Sequence, residues 1–291
     1  MKSSSASKIK INSFNDLFGA DSREKSIKMI TLDKLHPFKN HPFKVLDNEE
    51  MEELVESIRE MGIVTPVIVR KWPNGEYELV SGHRRKRAAE LAGLNEIPVF
   101  VRELTDDEAV IIMADSNLQR EHILPSEKAF AYRMKLEAMR HQGVKGNASS
   151  QEAGKDFNDS GRQVQRYIRL TYLIPELLEY VDQNHLTMQA GVALSYLNVD
   201  KQIMISEVII DLGKFPNGTM SETIRDLDKQ GEVTEEKIRQ MLSGDRLPKA
   251  PKRNITLKQK CINQYFPPDF DNERIEEVII QLLEQWKQQQ T

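Results

Sequence analysis

The stretch from Glu76 to Arg87 constrains this chain most. Glu76-Tyr77-Glu78-Leu79-Val80 alternates polar and apolar side chains, the period of a strand with one face buried. Gly82 breaks that pattern, and Ala88, Leu91 and Ala92 then recur at helical spacing before a stop at Gly93. A strand therefore turns into a helix at Gly82, and the helix opens with His83, Arg84, Arg85, Lys86 and Arg87. Cations in a first turn face the positive end of the helix dipole and disfavour the helix. A chain that accepts this cost has an anion to bind there, most often a phosphate. The plain alternative is a solvated basic turn.

The 291 residues exceed one typical domain and suggest two or three. No run of 18 apolar residues predicts a membrane span, and the Ser/Lys-rich N-terminus lacks the apolar segment of a secretory signal. The single cysteine, Cys261, excludes an internal disulfide framework, so the expected compartment is the cytoplasm. A net charge of −4 gives no overall attraction to nucleic acid, and any DNA contact must come from local basic patches.

Residues 1–26 read as a flexible tail in which Ile11, Phe14, Leu17 and Phe18 form a short apolar patch suited to docking a partner. Residues 27–122 read as one α/β domain. Its expected elements are a strand over Met29–Leu35, a helix capped by Asp47 with Leu54, Val55 and Ile58 buried, and a strand over Val64–Lys71. A Pro73-Asn74-Gly75 turn, the Glu76–Val80 strand and the basic helix follow, then a strand over Ile97–Arg102. Thr105 to Glu108 has the capping-box pattern and opens the last helix. The lone histidines, including His36, His41 and His122, lack metal-ligand spacing.

Residues 123–242 read as all-helical. A long helix over Ser126–His141 precedes a short helix over Gln151–Phe157, a turn at Asn158-Asp159-Ser160 and a second helix over Gly161–Leu173. Residues 151–173 thus have a helix-turn-helix outline. At about 100° per residue, Gln165, Arg166 and Arg169 fall within roughly 60° of Arg162, while Val164, Tyr167 and Ile168 fall opposite. No acid lies between Ser160 and Ile174. Arginine and glutamine read base edges and hold phosphates, so Ser160, Arg162, Gln163, Gln165, Arg166 and Arg169 are the candidate DNA-binding residues. Three or four more helices are expected after residue 176, and residues 243–254 read as a linker. In residues 255–291, Ile275, Val278, Ile279, Leu282 and Trp286 make an apolar stripe too long for so short a segment to bury, which predicts a homodimer.

From about Leu32 to Leu197 the chain resembles the ParB family of centromere-binding partition proteins. The blocks that carry the resemblance are Gly62–Arg70, Leu79–Gly93, Ser116–Glu121 with Pro125 beyond, and Leu186–Leu194; Tyr265-Phe266-Pro267-Pro268-Asp269 and the following helix look like the dimerisation module of mobile-element members. The resemblance implies an α+β protein with a ParB/sulfiredoxin-like nucleotide-binding domain, a helical DNA-binding domain and a small dimerisation module. It implies a dimer that binds double-stranded DNA at a palindromic centromere-like site, closes into a sliding clamp with CTP and Mg²⁺, and works with a ParA-type ATPase in the nucleoid. By motif position, Thr65, Ser81, Gly82, His83, Arg84, Arg85, Asn117 and Arg120 are the implied nucleotide-binding residues, with Asn117 the implied metal ligand. Two departures stand out. His83 replaces the family's usual Glu, and Ser116 replaces the Glu that assists magnesium binding and hydrolysis, so CTP hydrolysis is left open.

Two other readings share these residues. A transcriptional regulator would bind an operator without spreading along DNA. An enzyme on the same N-terminal fold, such as a sulfiredoxin, would need a Cys before the His-Arg pair, where this chain has Gly82.

Overall fold

The computed structural model describes residues 27–120, 122–143, 147–244, 265–267 and 271–289. The chain divides between Asp245 and Arg246 into two compact units. The expected tail over residues 1–26, nearly all of the linker and the segment from Ile255 to Gln264 lie outside the described residues.

The first unit contains a five-stranded sheet of order β1-β5-β3-β4-β2, with β1 at Ile27–Thr31, β2 at Leu35–His36, β3 at Val67–Lys71, β4 at Tyr77–Ser81 and β5 at Glu96–Arg102. β1 pairs antiparallel with β5, β3 runs parallel to β5 and antiparallel to β4, and β2 is parallel to β4. Helix α1 (Glu49–Met61) lies before β3, α2 (His83–Ala92) between β4 and β5, and α3 (Asp106–Leu118) after β5.

Four details correct the sequence reading. Asn48, not Asp47, caps α1, its side chain accepting from the Met51 N–H; Asp47 is drawn off by Arg87, with Nη2 at 2.6 Å from its Oδ2. Met51, Val55 and Ile58 are the buried stripe, and Leu54 is only partly covered. β3 starts at Val67, leaving Val64 exposed. β4 is buried on both faces rather than one, because Val80 packs toward α3 and Leu79 toward Ala89 of α2. Glu78, expected outward, is 1% exposed and accepts from Arg70 Nε at 2.5 Å and the Lys39 N–H at 3.3 Å. Paired and hydrogen-bonded in this way, a carboxylate can be tolerated in a core. The capping box at Thr105 forms as its spacing predicts.

Nine helices follow among the described residues: α4 (Pro125–His141), α5 (Asn147–Lys155), α6 (Gly161–Leu170), α7 (Pro175–Asp182), α8 (Met188–Leu194), α9 (Val199–Leu212), α10 (Gly218–Lys229), α11 (Glu235–Ser243) and α12 (Asn272–Gln289). α5 begins earlier than expected and α6 ends at Leu170, three residues short of the expected Leu173. A single apolar cluster joins Phe38, Phe43, Ile68 and Val80 through Ile112 and Met113 of α3 to Ala131 and Tyr132 of α4, Ala153 of α5 and Val164 of α6. The expected division at residue 122 therefore falls inside shared packing, and residues on both sides of it belong to one compact unit.

Candidate functional site

Gly82 caps α2 with φ 109°, a left-handed conformation in which a built Cβ would lie 2.6 Å from Val67 Cγ1. Only glycine fits without moving the sheet. It brings no side-chain cap, so the first-turn N–H groups are left for another acceptor.

The side chains of that turn have distinct fates. Arg85 is drawn inward, where Nη1 donates to the Thr65 carbonyl and, at 2.9 Å, to that of Pro66; burial lowers its pKa. It braces the loop before β3 rather than reaching outward, and it ties Thr65 to the turn. Arg84 is half-buried, with Nη2 3.0 Å from Glu50 Oε2 of α1. Lys86 pairs with Glu90 at 2.5 Å. Ser81, at the end of β4, is buried.

His83 stacks on His41 with ring centroids 3.7 Å apart. His83 Nε2 accepts weakly from the Phe38 N–H at 3.4 Å, and His41 Nδ1 donates to the Phe43 carbonyl at 2.8 Å. Burial pushes the His83 imidazole down to about 3, helped by His41, Lys86 and Arg120. Burial also lowers His41 to about 4, despite the Phe43 carbonyl, and Arg120 adds to the effect. Both rings are therefore neutral near pH 7, and the Phe38 contact puts the His83 proton on Nδ1.

Arg120 follows α3. Its guanidinium sits 6.0 Å from the Phe43 ring, and it is lowered by burial and by the charge of Arg84. Because Arg120 acts on His41 and His83 and is itself acted on by Arg84, Glu127 and Glu50, the end of α3 and the Gly82 turn converge on one spot, where two acids stand beside the two arginines. Ser116 Oγ and Asn117 Nδ2 both donate to the Met113 carbonyl, at 3.0 and 2.8 Å. Asp115 points elsewhere, into the α4 packing against Lys135.

Sequence reasoning missed His41, Glu50 and Glu127. Glu127 is buried and accepts from the Lys44 and Leu124 N–H groups at 2.7 and 3.3 Å. The Glu127 contact spans 83 residues and leaves no local trace.

In the helical part, α5 and α6 pack as two helices about a tight turn. Ser160 Oγ caps α6 by accepting from the Gln163 N–H at 3.2 Å. Val164 and Leu170 are buried, while Arg162 and Gln165 are exposed and Gln163 and Arg166 half-buried. Gln165 Nε2 donates to Ser150 Oγ at 2.5 Å. Arg169, expected outward, is fastened to the protein: Nε donates to Ser195 Oγ at 3.1 Å and Nη2 to the Ser195 carbonyl at 2.6 Å.

In the second unit, α12 leaves Leu282 58% and Trp286 59% exposed, with Ile275, Val278 and Ile279 partly covered.

The ParB N-terminal domain family model matches residues 19–118. The probable chromosome-partitioning protein ParB of Coxiella burnetii is 33% identical over 201 residues, covering 69% of this chain and 66% of that protein. The nucleoid occlusion protein of Geobacillus thermodenitrificans is 31% identical over 239 residues, 81% of this chain and 76% of its own length. The chain belongs to the ParB family. It spans about two thirds of the length of the Coxiella protein. Among solved structures, the truncated ParB of Caulobacter crescentus complexed to the centromeric parS site is 23% identical, covers 75% of this chain and 99% of its own, and gives a TM-score of 0.42. The same protein complexed with CTP-gamma-S is 28% identical, covers 64% of this chain and 99% of its own, and scores 0.31.

Proposed function

We propose that this chain is a DNA-partition protein that binds CTP at the Gly82 turn, reads a palindromic centromere-like site as a homodimer, and closes on DNA as a sliding clamp served by a ParA-type ATPase. The observation that carries the reading is the convergence of Arg84, Arg120 and the uncapped α2 N-terminus on one spot, in a chain of the ParB family. Arg84 keeps further guanidinium donors for a phosphate beside its carboxylate partner Glu50. Gly82 lets the backbone approach the phosphates, Arg85 holds the Thr65–Pro66 loop beside them, and neutral His83 offers Nδ1–H as a donor.

Magnesium prefers one or two carboxylates together with phosphates. Here Glu50 is committed to Arg84, Glu127 to backbone N–H groups and Asp115 to Lys135. Neutral Asn117 fits as a single ligand of an ion held mainly by phosphates and water, and such an ion would offset phosphate charge. With Ser116 in place of a carboxylate, CTP is bound and turned over slowly or not at all.

For DNA, α5, its turn and α6 act as the helix-turn-helix. Arg162, Gln163 and Arg166 lie in the part of a recognition helix that reaches base edges. A role in nucleoid occlusion uses the same sites and is favoured by the match over 76% of a protein of that name; dependence on a ParA-type ATPase separates the two. No helix among the described residues is long and apolar enough to cross a membrane.

Calorimetry with CTP, ATP, GTP and UTP tests the nucleotide site. CTP is expected to bind, and Arg84→Ala to weaken it by about 3–6 kcal/mol through loss of two charge-assisted bonds. Undiminished affinity in Arg84→Ala overturns the assignment.

A further inference from the structure

A ladder of alternating cations and rings crosses four parts of the helical region. The Arg133 guanidinium of α4 lies 5.8 Å from the Tyr172 ring, and Arg169 lies 4.6 Å from the same ring. Arg169 is also 3.9 Å from the Tyr196 ring, on whose other contact Arg225 of α10 lies 5.8 Å away. Tyr172 and Tyr196 are 53% and 54% exposed, so the ladder is a surface feature.

Arg133 pairs with Glu137 at 3.1 Å, but the other two charges are poorly compensated. Arg169 has no carboxylate partner among the described residues and spends Nε and Nη2 on Ser195. Arg225 has only its chain neighbour Asp226, at 3.6 Å, and its Nε is buried without a partner. Elsewhere arginines such as Arg59, Arg70, Arg87 and Arg239 pair with acids at 2.5–2.6 Å. Arg162 and Arg166 also lack an acidic partner among the described residues, and with Arg169 they share one face of α6. That row is about 10 Å long at 1.5 Å per residue, and Tyr196 joins Arg225 to the row at Arg169.

Stacked guanidinium groups are held rigid and match phosphate oxygens. A row of them on an open surface suits a polymer of phosphates better than a single nucleotide, which would need a pocket. We infer that Arg225 and Tyr196 form a grip on the duplex DNA backbone, outside the helix-turn-helix, that continues the contact made by α6. This rests on the DNA-binding reading above. Arg225 contacts the phosphate, and Tyr196 is a positioning residue that fixes Arg225 and Arg169.

The test measures binding of the full-length protein to a fluorescent random-sequence 40-base-pair duplex, from 50 to 200 mM KCl. A phosphate contact is read without regard to sequence, so no cognate site is needed. Arg225→Gln is expected to weaken binding roughly three- to tenfold at 100 mM KCl and to lower the salt slope by about one. Tyr196→Phe should bind as the wild type does, and Tyr196→Ala should bind like Arg225→Gln. Wild-type affinity and slope in Arg225→Gln overturn the inference, whatever Tyr196→Ala does to the melting temperature; the ladder is then a staple between helices. If Arg166→Ala weakens binding in that case, the DNA-binding reading survives. No binding by the wild-type protein at 50 mM KCl overturns both.

Discussion

Lys135 Nζ lies 2.6 Å from Asp115 Oδ1 inside the first unit, with the two side chains 5% and 15% exposed. The contact is an ion pair rather than a well-aligned hydrogen bond, since Asp115 Oδ1 lacks a partner of hydrogen-bond geometry. Lys135 also donates to the Ala153 carbonyl at 3.2 Å. One ammonium thus joins the carboxylate next to Ser116 on α3 to the backbone of α5. Burial raises the Asp115 pKa, and Lys135 opposes the rise.

Removing one partner leaves a charge stranded in the core. Lys135→Met is expected to cost about 3–5 kcal/mol in urea unfolding. Lys135→Met with Asp115→Leu should recover most of that loss, because no ion is then left unpaired. A single variant as stable as the wild type would show that the pair is not buried in solution.

The stacked imidazoles predict an acid limb. His41 and His83 titrate at about 4 and about 3 in the folded protein, below the ordinary 6.5. As pH falls below 6.5 the unfolded chain takes up protons that the folded chain refuses. Their contribution is therefore complete above pH 6.5 and is lost as pH falls, toward 4 for His41 and toward 3 for His83. Each ring contributes a slope of roughly 1.4 kcal/mol per pH unit in that window. Urea midpoints measured from pH 7.5 to 4.5 should fall, and His83→Gln should show a shallower fall. Identical slopes would count against a neutral, buried His83.

Gly82→Ala meets two obstacles, the left-handed φ and the Val67 contact. The strain alone is worth about 1–3 kcal/mol. Adding Val67→Ala removes the Cγ1 contact but keeps the Val67 Cβ at 2.9 Å and the left-handed φ, so thermal unfolding of the double variant should still show a deficit after subtraction of the Val67→Ala single variant. A Gly82→Ala protein with wild-type stability would mean the turn relaxes.

The proposed homodimer would cover the apolar face of α12. Leu282→Glu with Trp286→Glu in the full chain places two carboxylates on it and should yield monomers in sedimentation equilibrium. Dimers that persist in this variant at micromolar concentration would put the interface elsewhere.

Features with a short reach were legible in the sequence. The Thr105 capping box spans three residues, and the Gly82 break separates two clear periodicities. The α6 pattern likewise lies within a few turns, and Val164 and Leu170 are buried as helical spacing requires. What failed depended on partners far along the chain. Asp47 and Asn48 are both able caps, and Arg87, 40 residues away, decides between them. Glu78 looked solvent-facing because alternation cannot reveal that Arg70 and Lys39 await it inside. Arg169 is on the expected face, yet Ser195, 26 residues on, holds it.

The buried Arg70–Glu78 pair has a consequence for inheritance. Replacing Glu78 alone leaves a guanidinium that is 13% exposed with only Asp106 to meet, and replacing Arg70 alone leaves a carboxylate that is 1% exposed with only the Lys39 N–H and no countercharge. Asp106, which meets Arg70 at 2.5 Å, can soften the first loss but has no bearing on the second. Viable descendants of this sequence therefore reach an apolar pair at these positions by way of Glu78 first, and the two sites drift as one unit.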